Sequence, residues 1–260
     1  MDNSVIKVAD TFWNIRGSFK LGGRIDIGTQ ASLVKLASGN FVFLDAYAFD
    51  AGQQETINSI IGDARVEAIL NVHPFHTVNV ERMHELYPQA KLYGTARHCN
   101  RFPHLPWESE CTEHDALHEK YRDDLQFSVP RGVDFISDNE NVHFSSVLVF
   151  HPESGAIHVD DTFGYTEFPG WLPGLGAKGL VSLHPTLSLA LEKRAGAARE
   201  FREWAQTLFS DWGAATTLCA AHSALLRMDE AGGPSLQTRL KRALMVNEPI
   251  LRAHQMRYGK

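Results

Sequence analysis

The apolar run Val66-Glu67-Ala68-Ile69-Leu70-Asn71-Val72 ends in His73-Pro74-Phe75-His76. A stretch this short and this rich in β-favouring residues reads as a buried strand. A strand that delivers two imidazoles into a turn has the shape of a metal site at a sheet edge. Two histidines do not complete the coordination sphere of zinc or iron. Later parts of the chain must supply more ligands, and Asp161 and His222 are the candidates, with His143 in reserve.

The flanks fix what surrounds this strand. From Ile6 to Tyr47 the chain is strand-like, with runs at Thr11–Ile15, Arg24–Ile27, Ser32–Leu36 and Phe41–Asp45. Gly22-Gly23 and Ser38-Gly39-Asn40 punctuate it, and the last two runs read as a hairpin. The period then changes: Gln53–Ile61 and Val78–Tyr87 read as helices, with strands at Val66–Val72 and Lys91–Tyr93. Residues 101–130 read as an irregular excursion. Strands resume at Val142–Phe150 and Ala156–Val159, and a Gly/Pro-rich loop occupies Phe168–Gly174. Leu187, Leu191, Ala198, Phe201, Ala205 and Leu208 then recur at helical spacing as one long helix. A short strand at Thr216–Cys219 leads to His222, and a final helix follows Gly232-Gly233. Two β-then-α halves of this kind fit an α/β chain in which two sheets are sandwiched between helices.

Composition narrows the partners. A formal net charge of -6 supplies no basic stripe, which argues against a nucleic-acid partner and for a small-molecule substrate. No run of about 18 apolar residues is present, so no membrane span is expected. The early acidic residue and the lack of a signal-like apolar run point to a cytoplasmic protein. Cys99, Cys111 and Cys219 are an odd number with no CxxC pair, which argues against a disulfide framework. Cys99 and Cys219 are expected as buried apolar fillers. No motif fixes an oligomeric state.

Several motifs together resemble the metallo-β-lactamase fold superfamily, in a branch with a degenerate HxHxDH motif. Phe43-Leu44-Asp45 is similar to that family's early strand ending in aspartate, and Val66–His73 to the strand entering its histidine motif. Residues 152–162 resemble its hairpin ending in GDT, here Asp160-Asp161-Thr162. Cys219-Ala220-Ala221-His222 resembles the late strand that ends in a ligand histidine. The resemblance implies a four-layer αββα sandwich forming a single domain over residues 1–260. It also implies metal ligands among His73, His76, His143, Asp161 and His222. One zinc or iron ion is expected rather than two, with a metal-free chain as the alternative.

The departures are specific. With His73 first in HxHxDH, the remaining motif positions hold Phe75, Thr77 and Val78; with His76 last, Asn71 and Phe75 replace the first histidine and the aspartate. The first register keeps one of four ligands and the second keeps two. His143 lies one residue beyond the expected third-histidine position, an offset that reverses the face of a strand residue. The resemblance implies metal-assisted hydrolysis of a small ester, lactone, amide or thioester, although Thr77 cannot handle a proton as the motif aspartate does. The alternative is a catalytically reduced member that binds a small molecule or a protein. Asp45 is expected to support the site or the fold, and His151 and His158 to decorate strand faces. His114-Asp115-Ala116-Leu117-His118 resembles HExxH but sits in a run of charges expected to be a solvated face.

Overall fold

The computed structural model describes residues 4–168, 179–222 and 224–259. The first part of the chain forms β1 (Ser4–Ala9), β2 (Phe12–Gly17), β3 (Lys20–Leu21), β4 (Ile25–Asp26), β5 (Thr29–Lys35) and β6 (Phe41–Leu44). It continues through α1 (Ala51–Ile61), β7 (Val66–Leu70), α2 (Val80–Leu86), β8 (Lys91–Tyr93), α3 (Ala96–Arg101) and α4 (Asp115–Lys120). The second part forms β9 (Gln126–Ser128), β10 (Leu148–His151), β11 (Ala156–Val159), β12 (Phe163–Glu167), β13 (Gly179–Leu183), α5 (Leu187–Ala190) and α6 (Ala197–Asp211). It ends with β14 (Thr217–Ala220), β15 (Leu225–Arg227), α7 (Met228–Ala231), α8 (Leu236–Val246) and α9 (Glu248–Tyr258).

Two sheets carry the architecture, one in the order β1-β2-β5-β6-β7-β8 and one in the order β15-β14-β11-β10-β9. Strand alternation sorts their residues into layers. Val42, Leu44, Ala68 and Leu70 point inward to meet Val149, Ala156 and Cys219 of the other sheet. Phe41, Phe43 and Ile69 point outward against Ile57 of α1 and Val80 and Met83 of α2. On the far side, Phe150, Ile157, Val159 and Leu218 pack against Phe201, Ala205 and Leu208 of α6 and Leu240 and Leu244 of α8. The order helix, sheet, sheet, helix is the sandwich expected from the sequence. Each fully buried leucine or phenylalanine in these layers contributes about 1.5–3 kcal/mol by leaving water.

Strand direction sets where a site can lie. β6, β7 and β8 run parallel, as do β11 and β14. The carboxyl ends of parallel strands gather loops at one edge, and here Asp45, His73, Asp161 and His222 each follow such an end. The inter-sheet layer also changes character along the strands. Phe12 and Val34 fill it at one end, while Asn14, Arg16, Gln30, Ser32 and His158, on the same strand faces, fill it near the loops. Val147 N–H donates to Val72 O at 2.9 Å, tying the two sheets together beside these loops.

Four expectations need correction. The strand expected over Val142–Phe150 is confined to Leu148–His151, because Ser145 and Ser146 direct their hydroxyls to Asp134 O and Thr162 Oγ1. The long helix breaks in two: Leu191 forms a β-bridge with Val133, and Gly196, at φ 87°, starts α6 afresh. The final helix also divides, at Asn247, because Pro249 has no N–H to offer and belongs in the first turn of a new helix. Residues 101–130 contain a short helix, α4, and a strand, β9, that completes the second sheet. Most of the Gly/Pro-rich loop, Trp171 included, lies outside the described residues. Among the described residues no helix is long and apolar enough to cross a membrane.

Candidate metal centre

The cluster is built from Asp45 outward. At φ 62° this residue is in the left-handed region, which aspartate tolerates better than most residues. The turn places its carboxylate under the histidine loop, where Oδ1 accepts Val72 N–H at 2.7 Å. Its other oxygen lies 3.4 Å from His76 Nδ1. With Nδ1 acting as donor, His76 keeps the Nε2 lone pair free, 3.9 Å from Asp161 Oδ2. A carboxylate at the other ring nitrogen is a usual partner of a metal-bound imidazole.

His222 has the same tautomer by a different route. Its Nδ1 donates to Gly28 O at 2.9 Å, so Nε2 presents a lone pair to Asp161 Oδ1 at 3.1 Å. Asp161 Oδ1 is buried and has no hydrogen-bond partner. Two acceptors at that separation repel, and the contact is favourable only with a cation there, either a proton on Nε2 or a metal ion. Ligands of a tetrahedral zinc stand about 3.4 Å apart, given bonds near 2.1 Å, so the spacing of these atoms suits one ion.

His73 differs. Phe75 N–H donates to its Nδ1 at 3.1 Å, which leaves the proton of the neutral ring on Nε2. That nitrogen lies 3.1 Å from Asp161 Oδ2 but off the hydrogen-bonding direction, so it is buried without a partner. Binding a metal through Nε2 requires His73 to give up the Phe75 contact. Burial, reinforced by the charge of His76, lowers the His73 pKa to about 4.

Electrostatics bind the cluster to the layer beneath it. Burial alone would lower His76, yet Asp160, Asp45 and Asp161 together raise it to about 10. Asp45 and Asp160 lie together beneath His76. Burial and the charge of Asp45 raise Asp160 well above the carboxylate range, whereas His158, its Nε2 4.0 Å away, and His76 outweigh burial and hold Asp45 well below it. His158 Nδ1 meets Ser32 Oγ at 2.9 Å, and Asn14 Nδ2 donates to Ser32 Oγ at 3.1 Å and to Gln30 Oε1 at 2.9 Å. Gln30 Nε2 donates to Val159 O at 2.9 Å and Cys219 O at 3.0 Å. Arg16 donates to Ala220 O at 2.6 Å and Ala221 O at 3.3 Å. This chain of bonds fixes the strand ends that carry Asp161 and His222.

In sequence no family profile matches this chain, and no curated protein matches it. In structure it is similar to a metallo-β-lactamase from Erythrobacter litoralis, with TM-score 0.60 and 16% identity over 95% of this chain and 96% of that one. It is similar to a metallo-β-lactamase from Pontibacter korlensis with TM-score 0.56 and 12% identity, covering 96% and 99%. The metallo-β-lactamase FIM-1 from Pseudomonas aeruginosa, in its mono-zinc form, matches with TM-score 0.54 and 12% identity, covering 96% and 97%. The chain has the metallo-β-lactamase fold.

Within the metallo-β-lactamase fold, His73, His76 and Asp161 place one ligand atom each within 4.8 Å of one another, His222 joins them at Asp161, and His143 lies beside them. Val142 and Phe144 are buried, and the His143 ring between them stands at the edge of the cluster, its centroid 6.4 Å from that of His73. Its ring stacks on Phe75 with centroids 4.8 Å apart, and its Nε2 contacts Glu140 O. The other positions of the degenerate motif have structural work: Asn71 Nδ2 donates to Tyr93 O at 2.9 Å, and Arg97 lies over the Phe75 ring. The HExxH-like pair is no site. His118 donates to Thr112 O and stacks on Phe127, and Asp115 points to solvent. His158 is wholly buried rather than decorating a face, as is Asp160, which sequence reasoning passed over. The Asp-Asp pair after a strand was the available signal. Cys219 is a buried filler, but Cys99 is half-exposed.

Proposed function

We propose that the chain is a metal-dependent hydrolase of the metallo-β-lactamase fold, using one ion. The observation that carries this is the unpartnered approach of His222 Nε2 to Asp161 Oδ1 at 3.1 Å, with the histidine tautomer already fixed. His76 and Asp161 complete a set of two imidazoles and one carboxylate, which suits zinc or iron. A mono-zinc form of one structural neighbour supports a single ion as sufficient for the fold.

When bound, such an ion lowers the pKa of a coordinated water and polarises a scissile carbonyl. The residues of the chain do the rest. His76 and His222 are the solvent-facing donors, with side chains 21% and 30% exposed, whereas Asp161 and His73 are at 3% and 0%. Substrate therefore approaches between His76 and His222. Asp45 and Gly28 O hold those two rings in the tautomer that offers Nε2 to the approach side. Neither Thr77 nor Phe75, the two positions where the motif's aspartate would fall, supplies a carboxylate, so a substrate with a good leaving group, a lactone or a thioester, fits this site better than an amide.

A second reading, a binding member without catalysis, draws support from charge balance. A protonated His76 and His222 would neutralise Asp45 and Asp161 with no metal present. Elemental analysis separates the two. The wild-type chain, purified without chelator and reconstituted with Zn²⁺, Mn²⁺ or Fe²⁺, should hold about one ion at this cluster, and the Asp161→Ala/His222→Ala variant should lose it. No first-row metal in either protein overturns the hydrolase.

A further inference from the structure

On the opposite side of α3 from the histidine turn, four metal-ligating side chains gather that take no part in the centre described above. Cys111, Glu113 and His114 place one ligand atom each within 4.8 Å of one another. The Cys99 thiol, from α3, is near enough to the Cys111 thiol for each to shift the other's titration, although it lies outside the 4.8 Å group. We propose that Cys99, Cys111, Glu113 and His114 form a second, structural site for zinc or a similar borderline-soft divalent cation.

The backbone that carries these groups is pinned. Thr112 is wholly buried, its N–H donates to Gly94 O at 3.1 Å, and its hydroxyl donates to Asn71 O at 2.9 Å. His114 N–H closes the turn onto Cys111 O at 3.0 Å. Glu113 Oε1 is held by Ala96 N–H at 3.0 Å. Its other oxygen is shut off from solvent and meets no donor, a buried acceptor of the sort that costs about 1–3 kcal/mol unless something satisfies it. His114 is exposed and free to turn inward.

Donor chemistry selects the metal. Two sulfurs, one imidazole and one carboxylate around a half-buried point suit zinc in a closed four-ligand site, and suit calcium or magnesium poorly. Without an ion, burial and the Glu113 charge push the Cys111 thiol up to about 11, so both thiols stay protonated. Binding displaces those two protons to solvent as the sulfurs become thiolates, and the cation turns the Glu113 repulsion into attraction. The site would brace α3, whose His98 faces His76 O at 3.4 Å.

Cobalt(II) isolates this site, because only a thiolate ligand gives an intense near-ultraviolet charge-transfer band and the histidine-aspartate centre contains no cysteine. The full chain, reduced and handled without oxygen, is titrated with cobalt(II) beside three variants. The band is expected in the wild type and in His76→Ala/His222→Ala, and is expected to vanish in Cys99→Ser/Cys111→Ser. In His114→Ala, where an exposed side chain is removed, cobalt affinity should fall at least about tenfold. The absence of a band in wild type at millimolar cobalt overturns the proposal, as does a band that survives Cys99→Ser/Cys111→Ser. A Cys99–Cys111 disulfide that forms on air exposure in the presence of excess zinc also overturns it, since bound metal protects both thiols.

Discussion

His222 Nε2 faces Asp161 Oδ1 at 3.1 Å with its other nitrogen already committed to Gly28 O. The pair is complete only with a cation between or upon it. Asp161→Asn keeps the shape but replaces one oxygen lone pair with an amide that can donate to His222. Metal affinity measured by competition with a coloured chelator should fall by about 100-fold or more, at least as much as loss of an outer-shell partner. An unchanged affinity would remove Asp161 from the ligand set.

Asp45 separates support of the site from support of the fold. Asparagine tolerates its φ of 62° and can still accept Val72 N–H, so Asp45→Asn should fold normally and lose about 10–100-fold in metal affinity. Alanine leaves the Val72 N–H buried without a partner, and Asp45→Ala should cost about 1–3 kcal/mol beyond the asparagine variant in urea unfolding. Equal stability of the two variants would show that the Val72 bond contributes nothing.

His98 predicts an acid-labile window. It is buried on α3, with Nδ1 accepting from Thr95 and Nε2 facing His76 O. Burial lowers its pKa from 6.5 to about 4. A depressed folded value means that the unfolded chain takes up the proton first. The stability His98 contributes is therefore complete above pH 6.5 and lost as pH falls from there to 4, about 3 kcal/mol at most. His98→Gln can keep the Thr95 contact and carries no titrating group. Its urea midpoint should vary less with pH than wild type across that window, and parallel curves would refute the assignment.

Gly132 is a packing point far from the cluster. It has φ 71°, and a Cβ added there would lie 2.1 Å from Ala197 O, a backbone atom that cannot yield without moving α6. Gly132→Ala combines left-handed strain with overpacking and should destabilise the chain by about 3 kcal/mol or more. Urea unfolding at matched pH checks this, and a loss under about 1 kcal/mol would contradict the clash.

The sandwich was legible because Phe41–Leu44 and Val66–Leu70 are short apolar runs of the kind that strands covered on both faces require, and helical spacing follows each of them. The break after Leu191 was not, because it depends on pairing with Val133, some sixty positions earlier. The site was half legible. His76, Asp161 and His222 stand next to recognisable strand ends, but the roles of His73 and His76 turn on which ring nitrogen accepts a bond, and that is set by Phe75 N–H and Asp45. His143 was a candidate through the resemblance alone, one residue beyond the expected position, where strand alternation would turn it to the other face. In the absence of a strand at that point, stacking on Phe75 decides instead. The buried set Asn14, Gln30, Ser32 and His158 is scattered along the chain with no signature of its own and becomes visible only where the second sheet covers it.

The inter-sheet layer described above has a consequence for how such a centre is kept or lost. Asp45 and His76 belong to one sheet, Asp161 and His222 to the other, and Gln30 and Arg16 span the seam between them. Any occupant is thus a rivet through two plates, and its fit depends on how the plates are shimmed. A methylene gained or lost at Phe12, Val34 or Cys219 slides one plate against the other and misaligns the rivet hole. The inheritance of activity in a chain like this is then guarded as much by its anonymous interior as by its histidines.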